Sequence, residues 1–309
     1  MVFSRILLPL DGSVHAEHAI PHAVRIARLF GGRLSLLRVL DGAAANGRTG
    51  SDSIDWRLRR AEAERYLNAI QQDPRLENIE TDAFITEGKP ADRIADQVRR
   101  KDINLVVMSS WGAGGENEFP HGGTAFKVLV GTGTSYLVVN QAARLVDSDA
   151  YRRMLVPLDG SHKAEAAAHV AVALDTDHEA DILFCHVISE PAMPRKRPLT
   201  ETEKTLKERL IECNRRVAGG YLEELRDQFG GQHRIHTRLE VARDPVVRIT
   251  ELCQQEQPDL MILTGNHGID SNGWSRDSVL QSLLSSAHLP ILVIRGNLGI
   301  AGDVAGGGQ

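Results

Sequence analysis

The chain of 309 residues has few cysteines, no long apolar run and only a small charge imbalance, and each shortage argues against a class of protein. Its cysteines include no Cys-x-x-Cys pair, so neither a disulfide framework nor a zinc site is indicated for Cys185, Cys213 and Cys253. No segment approaches the roughly 18 to 20 apolar residues of a membrane span. The first ten residues resemble a short strand rather than a signal peptide. A formal net charge of -5 gives no general attraction to nucleic acid. We therefore expect a cytoplasmic protein that binds neither nucleic acid nor membrane.

What the chain does contain is one motif that occurs twice. Residues 8–13, Leu-Pro-Leu-Asp-Gly-Ser, return as residues 156–161, Val-Pro-Leu-Asp-Gly-Ser, a shift of 148 residues measured from Asp11 to Asp159. In each copy an apolar run precedes the motif and apolar residues at helical spacing follow it. This pattern predicts a strand, a tight turn and a helix N-terminus.

The duplication predicts two domains, residues 1–142 and 151–296, each large enough to bury its own core. Residues 297–309 turn to Gly and Ala without periodicity, which predicts a disordered tail.

Strands and helices are predicted to alternate along both halves, as in a parallel sheet covered on both faces. The fold class is therefore α/β, with two tandem doubly wound, five-stranded, Rossmann-like domains. The last strands of the halves, Tyr136–Val139 and Ile291–Ile294, are apolar and would aggregate as free edges. We expect them to pair within one chain as a pseudo-dimer, which Leu292→Pro should break.

Ligands of an open doubly wound sheet bind beyond the carboxyl ends of the strands, where the strand order reverses. An Asp after the first strand, the end of the second strand and a glycine-containing loop after the fourth should meet there in each half. Glycines let backbone N–H groups approach an anion, and the helix that follows favours negative charge at its N-terminus. The loops run from Ser109-Ser110-Trp111-Gly112 to Gly122-Gly123, and from Gly265-Asn266-His267-Gly268 to Asp277-Ser278.

With these motifs, both halves resemble the universal stress protein family, over about residues 3–140 and 151–295. Nucleotide-binding members of that family carry Gly-x2-Gly-x9-Gly-(Ser/Thr) after the fourth strand and an Asp after the first, on a fold like that of the adenine nucleotide alpha hydrolases. The resemblance implies a tandem member of the family and makes ATP, with Mg2+, the candidate ligand.

The resemblance also assigns roles to individual residues. In the second half it places Asp159 at the nucleoside end and Val187 beside the base. It places the phosphates on Gly265, Gly268 and Ser278. Pro157 belongs to the same repeated motif as Asp159 and is counted with these candidates. The corresponding residues of the first half are Asp11, Val39, Gly112 and Gly122.

Neither half keeps the full glycine motif. In the first half Ser109 and Gly123 replace the first Gly and the Ser/Thr, so the phosphate-contacting hydroxyl is lost unless Thr124 substitutes for it. In the second half Asp277 occupies the third Gly position, and the spacing is one residue short. A carboxylate about 4 Å from a phosphate costs about 1 to 4 kcal/mol, depending on screening, unless a divalent cation bridges them. The second half is the favoured nucleotide site of the two.

Simpler interpretations stay open for several residues. Asp11 and Asp159 could do no more than cap the first helix of each half, because Asp and Ser accept the unpaired N–H groups there. His267 has no partner at a catalytic spacing. His15, His18 and His22 fall on one helix face, which we interpret as a polar face rather than a metal site.

Three functions are therefore compared. The leading one is a stress-response module that senses nucleotide or acts as a scaffold without turnover, and that acts on unidentified protein partners. A scaffold whose two nucleotide pockets have degenerated is the second. A weak ATPase or related nucleotide-dependent enzyme is the third, although Leu10-Asp11-Gly12-Ser13 matches neither of the loops that such enzymes require. We predict no catalytic residue and no metal ligand, and homo-oligomers beyond the pseudo-dimer stay open.

Overall fold

The structure, a computed structural model, describes residues 2–40, 54–110, 123–140, 150–191, 198–265, 278–286 and 288–295. The chain divides into two compact units. Of the described residues, the first unit takes those within 2–140 together with 293–295, and the second takes those within 150–292. The predicted tail and most of the linker lie outside the described residues, so the predicted boundaries stay predictions. The predicted pairing of the two last strands also stays a prediction.

The first unit alternates strands and helices along the chain. Its elements are β1 (Arg5–Pro9), α1 (Val14–Glu17), α2 (Ile20–Phe30), β2 (Arg33–Leu40), α3 (Ile54–Gln71), β3 (Thr81–Glu87), α4 (Pro90–Arg100), β4 (Leu105–Ser109), α5 (Thr124–Gly131) and β5 (Ser135–Val139). The strand order is β3-β2-β1-β4-β5, with parallel pairing at each step. The order reverses between β1 and β4, which is where a doubly wound sheet forms its ligand crevice.

The second half of the chain, which comprises the described residues from 150 to 295, repeats this arrangement. Its elements are β6 (Arg153–Pro157), α6 (His162–Leu174), β7 (Asp181–Ser189), α7 (Glu201–Phe229), β8 (Arg234–Ala242), α8 (Pro245–Glu256), β9 (Leu260–Thr264), α9 (Ser278–Ser286) and β10 (Ile291–Ile294). The strand order is β10-β9-β6-β7-β8, and β6 pairs in parallel with both β7 and β9. The predicted α/β class, with two doubly wound domains, is confirmed.

The central strands are nearly continuous apolar runs because helices cover both faces of each sheet. Ile6, Leu7 and Leu8 of β1 have no exposed surface, and neither do Met154 and Leu155 of β6. Burial of this kind stabilises each unit by about 25 cal/mol for every Å² of apolar surface removed from water.

One predicted element differs from the structure. The sequence predicts a single helix after Ser13, but the structure divides it into α1 and α2. Pro21 has no N–H with which to donate to the carbonyl group of Glu17, so the first turn cannot continue and a new helix begins around the proline. His169 stands at the corresponding position of α6, which runs without a break.

Candidate functional site

The repeated motif forms the same turn in both units. Asp11 Oδ1 accepts hydrogen bonds from Ser13 N at 2.9 Å and from Ser13 Oγ at 2.6 Å. Ser13 Oγ in turn accepts from Ala16 N at 3.1 Å and caps α1. Gly12 has a φ of 80°, in the left-handed region that favours glycine. The predicted strand, turn and helix N-terminus are therefore present.

In the second unit, Asp159 Oδ1 accepts from Ser161 N at 2.9 Å, and Ser161 Oγ accepts from Ala164 N at 3.3 Å. Gly160 has a φ of 81°. The serines are therefore the N-caps, and each aspartate accepts the N–H group of its capping serine, which is a structural role of the kind that the sequence left open. This structural role does not prevent Asp11 from contacting a ligand, because Asp11 also lines a cavity.

The first unit contains a cavity of about 720 Å³ at the point where its strand order reverses. This volume lies within the range of about 300 to 1,000 Å³ that is typical of small-molecule sites. The strand ends supply Leu10, Asp11, Gly12, Arg38, Val39, Met108, Ser109 and Ser110, and the helices supply Arg59, Glu62, Tyr66, Ile94, Thr124 and Ala125. The structure therefore brings Asp11 and Val39 together at one cavity, with Thr124 in the same lining, whereas their contact with a nucleotide stays a prediction.

The cavity wall carries charged side chains of both signs: Arg38 and Arg59 are basic, and Asp11 and Glu62 are acidic. Arg38 Nη1 donates to the Leu10 carbonyl oxygen at 3.3 Å, which holds the guanidinium beside the turn. A Cβ atom at Gly12 would lie 3.5 Å from that guanidinium, in ordinary van der Waals contact, so it is the positive φ of Gly12 and not the space that favours glycine there. Arg59 of α3 adds a second cation to the lining. An anionic ligand group is therefore favoured next to the two arginines and disfavoured next to Asp11 and Glu62.

A helix N-terminus borders the same cavity. The N-cap residue of α5, Gly123, has no side chain to accept the N–H groups of the first turn. Thr124 and Ala125, the first residues of α5, line the cavity. Backbone N–H groups at a helix N-terminus favour a phosphate or carboxylate.

Tyr66 contributes a neutral hydroxyl group to the wall. Burial, followed by the negative charge of Glu17, holds the pKa of the Tyr66 phenol well above its usual range. The phenol is therefore protonated at physiological pH and cannot act there as a base. The sequence does not indicate Arg38, Arg59 and Tyr66 as site residues, because no spacing shows which side chains of β2 and α3 line the cavity.

The second unit differs at the position of Arg38. His186 stands 148 residues later, beside Gly160, whose Cβ would lie 3.8 Å from His186 Cε1. Burial lowers the pKa of His186, against weaker opposing effects from Leu158 and Asp159, so the imidazole is neutral at pH 7. Tyr221 of α7 parallels Tyr66: burial, then Glu165 and Asp159, raise its pKa to about 12. The second unit thus places a neutral ring where the first has a permanent cation.

The other residues predicted for the second unit are placed only in part. Pro157 ends β6, Val187 lies half-buried on β7, Gly265 directly follows β9 and Ser278 begins α9. Gly268, and Gly112 and Gly122 of the first unit, lie outside the described residues. The prediction that these glycines hold phosphates therefore stays a prediction. Trp111, His267 and Asp277 also lie outside them.

The interpretation of the first helix as carrying a polar histidine face is wrong for His22. Its side chain is buried among the apolar residues of α2, with 4% exposure. His15 and His18 pack edge to face, with ring centroids 6.2 Å apart. In the part of the chain that the structure describes, these three histidines do not converge as a metal site. Within the same residues, no helix is both long and apolar enough to cross a membrane.

A doubly wound parallel sheet with a cavity at its point of reversal defines a Rossmann-like class of ligand-binding domain. The particular family follows from sequence comparison. The model of the universal stress protein family matches the chain twice, at residues 3–140 and 150–295. The chain therefore belongs to the universal stress protein family, as a tandem member with two domains.

Individual relatives agree with this assignment. Universal stress protein MJ0531 of Methanocaldococcus jannaschii is 25% identical over 142 residues, which are 45% of this chain and 84% of the relative. Universal stress protein YxiE of Bacillus subtilis is 25% identical over 139 residues, 41% of this chain and 92% of the relative. Each of these relatives thus aligns with less than half of the chain.

Solved structures match both domains together. A universal stress protein from Archaeoglobus fulgidus DSM 4304 has a TM-score of 0.65 at 17% identity, and the match covers 96% of this chain and 99% of that one. A protein of unknown function, PA1789 from Pseudomonas aeruginosa PAO1, has a TM-score of 0.60 at 14% identity, with coverage of 94% and 92%. At these identities the likeness shows the fold.

Proposed function

We propose that the first unit binds an adenine nucleotide in its cavity, and that the protein acts in the cytoplasmic stress response as a nucleotide sensor without dedicated turnover. One observation carries the proposal: Asp11 and Val39, which the family resemblance assigns to the nucleoside, line the same cavity as Arg38 and the N-terminus of α5. A nucleotide needs an apolar surface for its base and positive charge for its phosphates, and this cavity has both.

The apolar part of the wall includes Val39, Ile94 and Met108, against which a flat ring could pack. Arg38 and Arg59 supply positive charge that attracts the phosphates. A guanidinium about 4 Å from a phosphate contributes about 1 kcal/mol in water-like surroundings and about 4 kcal/mol at an effective dielectric of 20. Ser109, Ser110 and Thr124 add hydroxyl groups, of which Thr124 takes the position proposed for the phosphate contact.

The proposal places the nucleotide in the first unit, although the sequence favoured the second. His186 is neutral at pH 7, whereas Arg38 keeps its charge at all physiological pH values. The electrostatic attraction just described is therefore absent at this position of the second unit. We keep Mg2+ as a candidate companion of ATP.

Calorimetric titration of the full chain with ATP, ADP and AMP, with and without Mg2+, tests the proposal. Two substitutions are designed to remove the site: Val39→Trp fills the apolar wall, and Arg38→Ala removes the cation. Val187→Trp and His186→Ala make the same changes in the second unit and serve as matched controls. We expect the first pair to weaken binding by about tenfold or more, which corresponds to about 1.4 kcal/mol, and the second pair to leave it unchanged.

Three results would contradict the proposal. The absence of any heat signal up to millimolar nucleotide would leave a scaffold with degenerate pockets. A loss of binding in Val187→Trp alone would move the site to the second unit. Sustained multiple-turnover release of phosphate from ATP would make the protein an enzyme instead of a sensor.

A further inference from the structure

A second group of ligand-type side chains lies in the second unit, at the amino ends of its strands. Asp175 is the C-cap of α6, His178 belongs to the turn that leads into β7, and His233 immediately precedes β8. Because β7 and β8 are parallel neighbours, with Asp181 opposite Arg234, the segments that precede them meet at one edge of the sheet. This edge is opposite to the one at which a doubly wound sheet binds nucleotide.

The three side chains converge on one point. His233 Nδ1 lies 2.7 Å from Asp175 Oδ2 and 3.3 Å from His178 Nδ1. The three candidate ligand atoms all lie within 4.8 Å of one another. In a tetrahedral site with zinc–nitrogen distances of about 2.0 to 2.1 Å, neighbouring ligand atoms are about 3.3 to 3.4 Å apart. The separation of the two imidazole nitrogens matches that value. The carboxylate oxygen would have to move away from His233 Nδ1, which is 2.7 Å from it, and it lies within 4.8 Å of the other ligand atoms.

The Asp175 carboxylate is buried and held in an orientation that suits cation binding. Its side chain has no exposed surface, and a buried carboxylate is costly without a partner. Asp175 Oδ1 accepts from Ala180 N at 3.0 Å, which leaves Oδ2 directed at His233. Such a hydrogen bond to the second oxygen is how metal-binding carboxylates are commonly oriented.

We propose that Asp175, His178 and His233 form a Zn2+ site that links the α6–β7 turn to the segment before β8. Two imidazoles and one carboxylate are established zinc ligands, and three protein ligands leave a fourth position for water. The sequence predicted no metal ligand here, because the two histidines are separated by 55 residues and only strand pairing brings them together. The site is independent of nucleotide binding in the first unit.

Titration of the untagged, chelator-stripped full chain with Zn2+ tests the proposal, because a histidine tag would itself bind the metal. We expect one high-affinity equivalent per chain and, with Co2+ as the probe, the visible absorption of a four-coordinate ion. His178→Asn should weaken Zn2+ binding by at least about tenfold, since even changes outside the ligand shell cost about 10- to 100-fold. Asparagine tolerates the left-handed backbone of His178, whose φ is 57°.

His236→Asn is the matched control. His236 is a neighbouring histidine on β8 that contacts Asp181 at 3.4 Å and does not belong to the group. The His236→Asn variant should bind Zn2+ as tightly as the unchanged chain and show the same Co2+ spectrum. The His233→Gln variant removes another of the three proposed ligands. Circular dichroism of the metal-free variants checks that they are folded.

Two results would overturn the proposal. One is that the unchanged chain takes up no stoichiometric Zn2+. The other is that folded His178→Asn and His233→Gln bind as tightly as the unchanged chain, which would place the metal on other histidines. Neither result depends on whether the first unit binds nucleotide.

Discussion

His22 should make the first unit sensitive to mild acid. Its imidazole is buried in α2, and burial, followed by the charge of Arg25, lowers its pKa from 6.5 to about 3. The folded state therefore holds the ring neutral at a pH where the unfolded chain would protonate it. As the pH falls below about 6.5 the unfolded state gains protons that the folded state does not, so stability decreases. The decrease levels off below the folded pKa, about pH 3.

The magnitude follows from the two pKa values. With a shift of about 3.5 units and about 1.36 kcal/mol per unit, the full loss is about 5 kcal/mol below pH 3. Between pH 7 and pH 5 the same linkage relation gives about 2 kcal/mol. This is a large fraction of the stability of an ordinary domain, which is about 5 to 15 kcal/mol.

Urea unfolding of the chain and of His22→Gln, at pH 7 and pH 5, measures the contribution of His22 to the pH dependence of the free energy of unfolding. Glutamine does not titrate, so the other ionisable groups cancel when the two proteins are compared. Trp56 of α3 reports the first unit if Trp111→Phe and Trp274→Phe are present in both proteins. We expect the chain to lose about 2 kcal/mol more than His22→Gln over this interval.

Equal losses in the two proteins would refute the reasoning. Such a result would mean that His22 is protonated inside the folded unit, or that water reaches it. A chain that became more stable at pH 5 than His22→Gln would reverse the sign and point to a stabilising partner for the imidazolium.

Two further predictions concern the helix caps and the thiols. Ser13→Ala and Ser161→Ala should each lower the free energy of unfolding by about 0.5 to 2 kcal/mol, because each removes an N-cap acceptor; the loss at Ser13 should be the larger, since its hydroxyl also donates to Asp11. Urea unfolding checks this, and Ser→Asn at each site should restore most of the stability. Among the three thiols, Cys213 is exposed, whereas burial raises the pKa of Cys253 to about 12 and that of Cys185 further still. Ellman's reagent should therefore modify Cys213 first and Cys185 last; rapid labelling of Cys185 in the folded chain would contradict this order.

Most elements could be predicted because their signals are local. The alternation of strands and helices could be predicted in this way, since a buried parallel strand such as Leu260–Thr264 is a continuous, mostly apolar run. The turns at Gly12 and Gly160 were predicted because few other sequences suit a left-handed residue before a capping serine. The break at Pro21 was available in the sequence and was missed, because the apolar spacing continues through it.

The candidate site was predictable only along the backbone. Asp11 and Val39 stand at strand ends, and the topology of a doubly wound sheet fixes where such ends meet. Tyr66 and Arg59 could not be predicted, since their part in the wall depends on the side from which α3 packs. Arg38 could not be predicted either, because the Leu10 carbonyl that holds its guanidinium is 28 residues away in the chain. The preference for the second unit came from the glycine loops alone, whereas the charge at position 38 favours the first.

The sequence by itself determined the duplication, the alternation of strands and helices, and the family, because each depends on residues close together in the chain. Only the tertiary structure decided that His22 is buried, that two arginines share a cavity with Asp11, and that Asp175, His178 and His233 meet. The physical reason is the same in all three cases. Parallel pairing and helix packing bring together side chains that are tens of residues apart, and no local pattern records which of them will face each other.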